Sequence, residues 1–174
     1  MIFDFSGKRA AVCGSTQGMG KATAILLSEL GAEVVLISRN LDSLKKTKLE
    51  LSVSNDQNHD ILCADFSDPN KLKENLTVYL EKKLPIHILI NNTGGPPPGE
   101  ITAATSDDFL DGFYKHVLCN QILVKGILPF MKKEKFGRIV NIISTSVKQP
   151  IIGLGVSNTI RGAVGSWAKT LASE

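Results

Sequence analysis

Apolar residues along this chain recur in two alternating rhythms. Short β-branched runs predict strands at Lys8–Val12, Glu33–Ile37, His59–Cys63, Ile86–Ile90 and Arg138–Ile143. Several are apolar at successive positions, the pattern of a parallel sheet covered on both faces. Between the first two strands, Met19, Ala22, Ile25, Leu26 and Leu30 form a helical stripe, with Gly31 placed to end it. Pro69 opens another predicted helix, which carries Leu72, Leu76, Tyr79 and Leu80. Ser106-Asp107-Asp108 starts a long helical region, broken once, that runs towards Met131. The last pattern is the most regular: Val156, Ile160, Ala163, Val164, Trp167, Ala168 and Leu171 share one helix face. Strand alternating with helix predicts a doubly wound parallel α/β sheet. Such a sheet takes its ligand at the carboxyl ends of the strands, where the winding reverses.

Composition narrows the class. The chain has 174 residues, 43% hydrophobic and 21% charged, which fits one globular domain over residues 1–174 and excludes general disorder. The net charge of +3 is spread through mixed Lys/Glu segments, so no nucleic-acid arm is predicted. Apolar runs such as Ala24–Leu27 and Val34–Ile37 fall far short of the ~18 residues of a membrane span, and the first five residues do not resemble a secretory start. Three separated cysteines fit a reduced, cytoplasmic setting. The histidines His59, His87 and His116 lack ligand spacing, so no metal site is predicted.

The first strand runs into Cys13-Gly14-Ser15-Thr16-Gln17-Gly18-Met19-Gly20 and then a helix. Glycines in that context allow a tight turn, close approach to a pyrophosphate, and packing of helix on strand. The helix N-terminus adds unpaired N–H groups and partial positive charge. Gly14, Ser15, Gln17, Gly18, Met19 and Gly20 are therefore expected to hold a dinucleotide; the alternative is a plain structural turn. The second strand ends Ser38-Arg39-Asn40, with no acid before Asp42. A carboxylate there would select a ribose hydroxyl, whereas Ser38 and Arg39 suit a 2′-phosphate. NADP is expected in preference to NAD, unless Arg39 is only a solvated cation.

Four segments together resemble the short-chain dehydrogenases/reductases. Gly14–Gly20 is similar to the family's TGxxxGxG turn, with Cys13 in place of Thr. Asp65-Phe66 resembles its adenine-flanking pair, and Asn91-Asn92-Thr93-Gly94 its Asn-Asn-Ala-Gly signature. Gly137–Ser144 resembles the strand that ends in its catalytic Ser. The resemblance implies a Rossmann-like subunit that uses NADP(H) to interconvert a small carbonyl and an alcohol. It assigns Asp65 and Phe66 to the adenine, Asn92 and Gly94 to the middle of the cofactor, and Ser144 to catalysis. Family subunits usually continue further, so the fold is expected to be cut short after its sixth helix. Association into a dimer or tetramer is expected through Val156–Leu171 and Phe109–Met131.

The same resemblance exposes a departure. Thirteen residues beyond Ser144, where the family has Tyr-x-x-x-Lys, the chain reads Ser157-Asn158-Thr159-Ile160-Arg161. Family spacing back from Pro129 puts His116 where a supporting Asn is usual, with Asn120 one turn later. Ser157 and Arg161 stand one helical turn apart and share a face. A serine hydroxyl is a far weaker acid than a phenol of pKa ~10, and arginine does not give up its proton. Three readings follow: an oxidoreductase with proton delivery through Ser144, Ser157, Arg161, His116 or water; an NADP(H)-binding sensor or partner subunit without turnover; and a structural relic or part of a longer enzyme.

Overall fold

The computed structural model describes residues 3–174. In chain order its elements are β1 (Arg9–Cys13), α1 (Gly18–Glu29), β2 (Glu33–Ser38), α2 (Leu41–Leu49), β3 (Asp60–Cys63), α3 (Pro69–Leu80), β4 (Ile88–Asn91), α4 (Ser106–Phe113), α5 (Cys119–Lys133), β5 (Arg138–Asn141) and α6 (Gly155–Ser173). The strands form one parallel sheet in the order β3-β2-β1-β4-β5. The winding reverses between β1 and β4, so the crevice at their carboxyl ends is where a ligand belongs.

Both faces of the sheet are covered, as the continuous apolar strands require. Ala11, Cys13, Val35, Ile37 and Leu89 pack with Leu72, Leu76 and Tyr79 of α3 and with Leu123 and Ile127 of α5; Trp167 and Leu171 of α6 join that cluster. On the opposite face Ala10, Val12, Val34, Leu36 and Ile90 meet Ala24 and Leu27 of α1 and Leu44 of α2. The Trp167 indole also donates to Gln121 Oε1 at 2.8 Å and ties α6 to α5. β5 is the edge strand of this sheet, and its Val140 is exposed.

Three details depart from the hydrophobic pattern. In α1, Met19 and Leu26 are 65% and 54% exposed, while Gly20, Ala24, Leu27 and Ser28 face the sheet. Small residues let this helix approach the backbone of the glycine turn, and the larger apolar side chains are left outside. Helix α2, outside the predicted set of helices, is started by Asn40, whose side chain accepts from the Ser43 amide at 2.8 Å. β3 and β4 begin slightly later than expected, each preceded by a histidine whose side chain joins the neighbouring strand. His59 Nδ1 accepts from the Val34 amide and His87 Nδ1 from the Arg9 amide, each at 3.0 Å. Each imidazole thus satisfies a backbone donor at the entrance of a neighbouring strand.

Among the described residues no helix is long and apolar enough to cross a membrane.

Candidate functional site

At the switch point the glycine turn and the end of β4 meet almost without side chains. Gly14 has φ +58°, and a Cβ there would stand 2.7 Å from Asn92 Nδ2. A Cβ on Gly20 would collide with the Gly14 carbonyl oxygen and lie 2.8 Å from Asn92 Nδ2. The Asn92 amide in turn donates to the Cys13 carbonyl at 3.2 Å, bridging β1 and β4. Glycine is required at Gly14 and Gly20 by close approach, and at Gly14 and Gly18 (φ +53°) by left-handed backbone.

A cleft of about 650 Å³ opens above this crossing. Of the residues expected from sequence, Gly14, Gln17, Gly18, Met19, Ser38, Arg39, Asp65, Phe66, Asn92 and Gly94 line it. Gly20 lies behind the wall as a packing position. Ser15 departs from expectation: it is fully buried, and its hydroxyl donates to the Ile37 carbonyl at 3.3 Å, supporting the turn from inside. Thr16, Asn40, Ser43, Thr93, Gly95 and Lys115 join the lining without having been picked out as ligand residues. Thr16 Oγ1 lies 3.3 Å from Ser38 Oγ, so two hydroxyls stand together beside Arg39. Recognising the Asn40 cap would have placed a helix start here, and with it Asn40 and Ser43.

Charge in the cleft is arranged for an anion at the β2 end. Among the described residues Arg39 has no carboxylate within ion-pair distance. Asp65 accepts from the Ser67 amide at 2.9 Å and hydroxyl at 2.7 Å. Those bonds, aided by the Arg39 and Lys115 charges, hold its carboxyl below the usual range. Lys115 is itself engaged by Asp111 at 2.8 Å. Asn91 donates to Asn141 Oδ1 at 2.8 Å and serves the sheet, leaving Asn92 at the cleft.

Of the second group of expected residues, Ser157 and Arg161 meet behind Gly95, outside the cleft lining. A Cβ on Gly95 would lie 3.4 Å from Arg161 Nη2 and 4.0 Å from Ser157 Oγ, so both α6 side chains border the same point. Arg161 Nη1 donates to the Ile142 carbonyl at 2.9 Å. Ser144 caps the short turn after β5 by accepting from the Ser146 amide at 3.1 Å. His116 lies in a single π-helical turn, Tyr114–Leu118, which joins α4 to α5 without interrupting the helix, in place of the expected break. Wide turns of this kind often mark functional positions. The imidazole is 2% exposed and its Nε2 has no partner.

No phenol replaces the missing tyrosine. Tyr79 lies in α3 with burial pushing its hydroxyl up to about 12, and Tyr114 stands on the exposed side of the π turn. Burial likewise pushes the Cys13 and Cys119 thiols up to about 12, so neither is a nucleophile near neutral pH.

Burial, reinforced by the Arg161 charge, lowers His116 from 6.5 to about 4. His87 is lowered in the same direction, by burial first and then by Lys8. The unfolded chain therefore binds more protons than the folded one as pH falls below 6.5, and stability must fall with it. One such group costs roughly 1.4 kcal/mol per pH unit, or about 2 kcal/mol by pH 5. Urea midpoints measured at pH 7.5 and pH 5 should show the loss, and His116→Asn should reduce it. An unchanged difference in His116→Asn would contradict the assignment.

Geometry and sequence now agree on a class. The chain belongs to the short chain dehydrogenase family, whose sequence pattern matches residues 8–174. The human protein named inactive hydroxysteroid dehydrogenase-like protein 1 is 30% identical over 97% of this chain and 51% of its own length. The NADPH-dependent reductase BacG of Bacillus subtilis is 25% identical over 96% of this chain and 65% of its own length. The crystal structure of L-sorbose reductase from Gluconobacter frateurii, complexed with NADPH and L-sorbose, superposes with a TM-score of 0.92 at 25% identity. It is matched over 99% of this chain and 66% of that one. The chain thus spans about half the length of the human relative and about two thirds of the other two.

Proposed function

We propose that the chain binds NADP(H) across the β1/β4 crevice and takes part in interconverting a carbonyl and an alcohol, with proton delivery that does not use tyrosine. The observation that carries this reading is Arg39, unpaired at the cleft rim beside the Thr16 and Ser38 hydroxyls. The cofactor fits what is present: a turn that a Cβ at Gly14 or Gly20 would fill, amides at the start of α1, and a free guanidinium at the far end of the cleft. Gly14, Gln17, Gly18 and Met19 would hold the pyrophosphate and adjacent ribose. Ser38 and Arg39 would hold the 2′-phosphate, Asp65 and Phe66 the adenine, and Asn92 and Gly94 the middle of the molecule.

Bound NADPH supplies a hydride. The protein's part is to orient the acceptor and return a proton. Ser157 Oγ, beside Gly95, donates a hydrogen bond to the reacting oxygen, and the proton that oxygen takes up comes from solvent at that exposed glycine. Arg161 keeps its proton and contributes a fixed positive field beside the developing negative charge. Neutral His116 donates or accepts at Nε2 without becoming charged.

A second reading, binding without turnover, is favoured by the absence of an acid with a reachable pKa at Ser157 and accords with the name of the human relative. NADPH absorbance in the presence of ketones, aldehydes and sugars separates the two: consumption supports the first, and tight NADPH binding without consumption supports the second. Ser157→Tyr with Arg161→Lys should raise carbonyl reduction by ~10²–10⁴-fold, the usual contribution of a positioned proton donor. No gain would contradict proton delivery as the limiting loss.

The proposal extends to assembly. Leu110, Phe113 and Tyr114 are exposed apolar side chains in the Phe109–Met131 region. With α6 they would form the contact between copies of this chain. Sedimentation should give a dimer or tetramer, and a monodisperse monomer would contradict the contact.

A further inference from the structure

We propose that Arg161 recognises a carboxylate and Ser157 the carbonyl next to it, so that the compound handled beside the nucleotide is an oxo acid or the corresponding hydroxy acid. This inference rests on the NADP(H)-linked reading and names the substrate class for the same cleft.

Arg161 is half-buried, and burial lowers its pKa. Among the described residues no carboxylate lies within ion-pair distance of it. Lys115 of the cleft lining already has Asp111 as partner, whereas Arg161, behind Gly95, has none. A cation withdrawn from water without a counter-ion is costly, and one backbone carbonyl, Ile142, is only a partial substitute.

The unsatisfied groups converge. Nη1 is committed to Ile142, while Nη2 faces Gly95, where no side chain intervenes. Ser157 Oγ borders that same point, and Gly95 lines the nucleotide cleft. The guanidinium edge and the hydroxyl at this point have no acid between them.

A carboxylate suits this set better than a phosphate does. The free edge of a planar guanidinium matches a planar two-oxygen acceptor. The proposed phosphate positions lie elsewhere in the cleft, at the glycine turn and beside Arg39. A carbonyl adjacent to the bound carboxylate would then fall beside Ser157 Oγ.

The test titrates NADP⁺-saturated protein calorimetrically with 2-oxobutyrate and, separately, with 2-butanone, which lacks the carboxylate. The oxo acid should bind at least ~10-fold more tightly, the low end for hydrogen bonds to a charged group. Arg161→Gln should abolish that preference, and Arg161→Lys should keep part of it. NADPH affinity, measured separately for each protein, identifies which idea fails. Equal binding of the two probes by nucleotide-bound wild type, or a preference that survives in Arg161→Gln, overturns the carboxylate site. Failure of wild type to bind NADPH overturns the reading beneath it.

Discussion

Arg39→Asp should weaken NADPH binding by more than ~100-fold and change NADH binding by less than about threefold. The substitution removes the guanidinium at the β2 end of the cleft and puts a second carboxylate near Asp65. A hydrogen bond to a charged group contributes about 1.5–3 kcal/mol, and like-charge juxtaposition adds to the loss, so a difference above ~3 kcal/mol is expected. NADH has no 2′-phosphate and should not register that change. Calorimetric titration of both nucleotides against both proteins checks it, and equal losses would mean that Arg39 acts on the cleft in general.

Gly20→Ala should abolish nucleotide binding and lower stability by about 1–3 kcal/mol, the usual cost of inserting a methyl where there is no room. The added carbon meets backbone, the Gly14 carbonyl, which cannot swing aside as a flexible side chain would. Displacing Gly14 also strains the Asn92 bridge to Cys13, the bond that joins the two halves of the sheet at the site. For a chain of this size the melting temperature should fall by roughly 3–10 °C. Gly162→Ala is the control, since nothing lies within 4 Å of the position its Cβ would take. A Gly20→Ala protein that keeps its melting temperature and binds NADPH normally would contradict the close approach.

The sheet was legible because β1, β2 and β4 are apolar on both faces, and a strand buried on both sides announces itself without context. The cofactor end of the site was legible for a related reason: Gly14, Gly18, Gly20 and Arg39 act through backbone space and charge, both of which follow from residue type and order. Helix α1 was misread because its packing is set by smallness. Gly20 and Ala24 face the sheet since the turn needs room, and Met19 and Leu26 are exposed as a result. Helix α2 is short and charged, and its start depends on one side chain, Asn40. At Ser15 the residue type alone does not say whether the hydroxyl faces the ligand or, as it does, the Ile37 carbonyl.

The other end of the site was only partly legible. Spacing marked Ser157, Arg161 and His116, but their convergence depends on the bare backbone at Gly95 and on the π turn that carries His116 inward. Neither shows in the hydrophobic pattern. That no carboxylate reaches Arg161 among the described residues is likewise a three-dimensional fact, since acids are plentiful in sequence.

Calorimetric titration of the unaltered protein with NADPH and with NADH is the most direct measurement of whether a phosphorylated dinucleotide occupies the β1/β4 crevice. Saturable, one-to-one NADPH binding at least ~10-fold tighter than NADH is the result expected from Arg39 and its neighbouring hydroxyls. Heat signals indistinguishable from dilution for both nucleotides would contradict it.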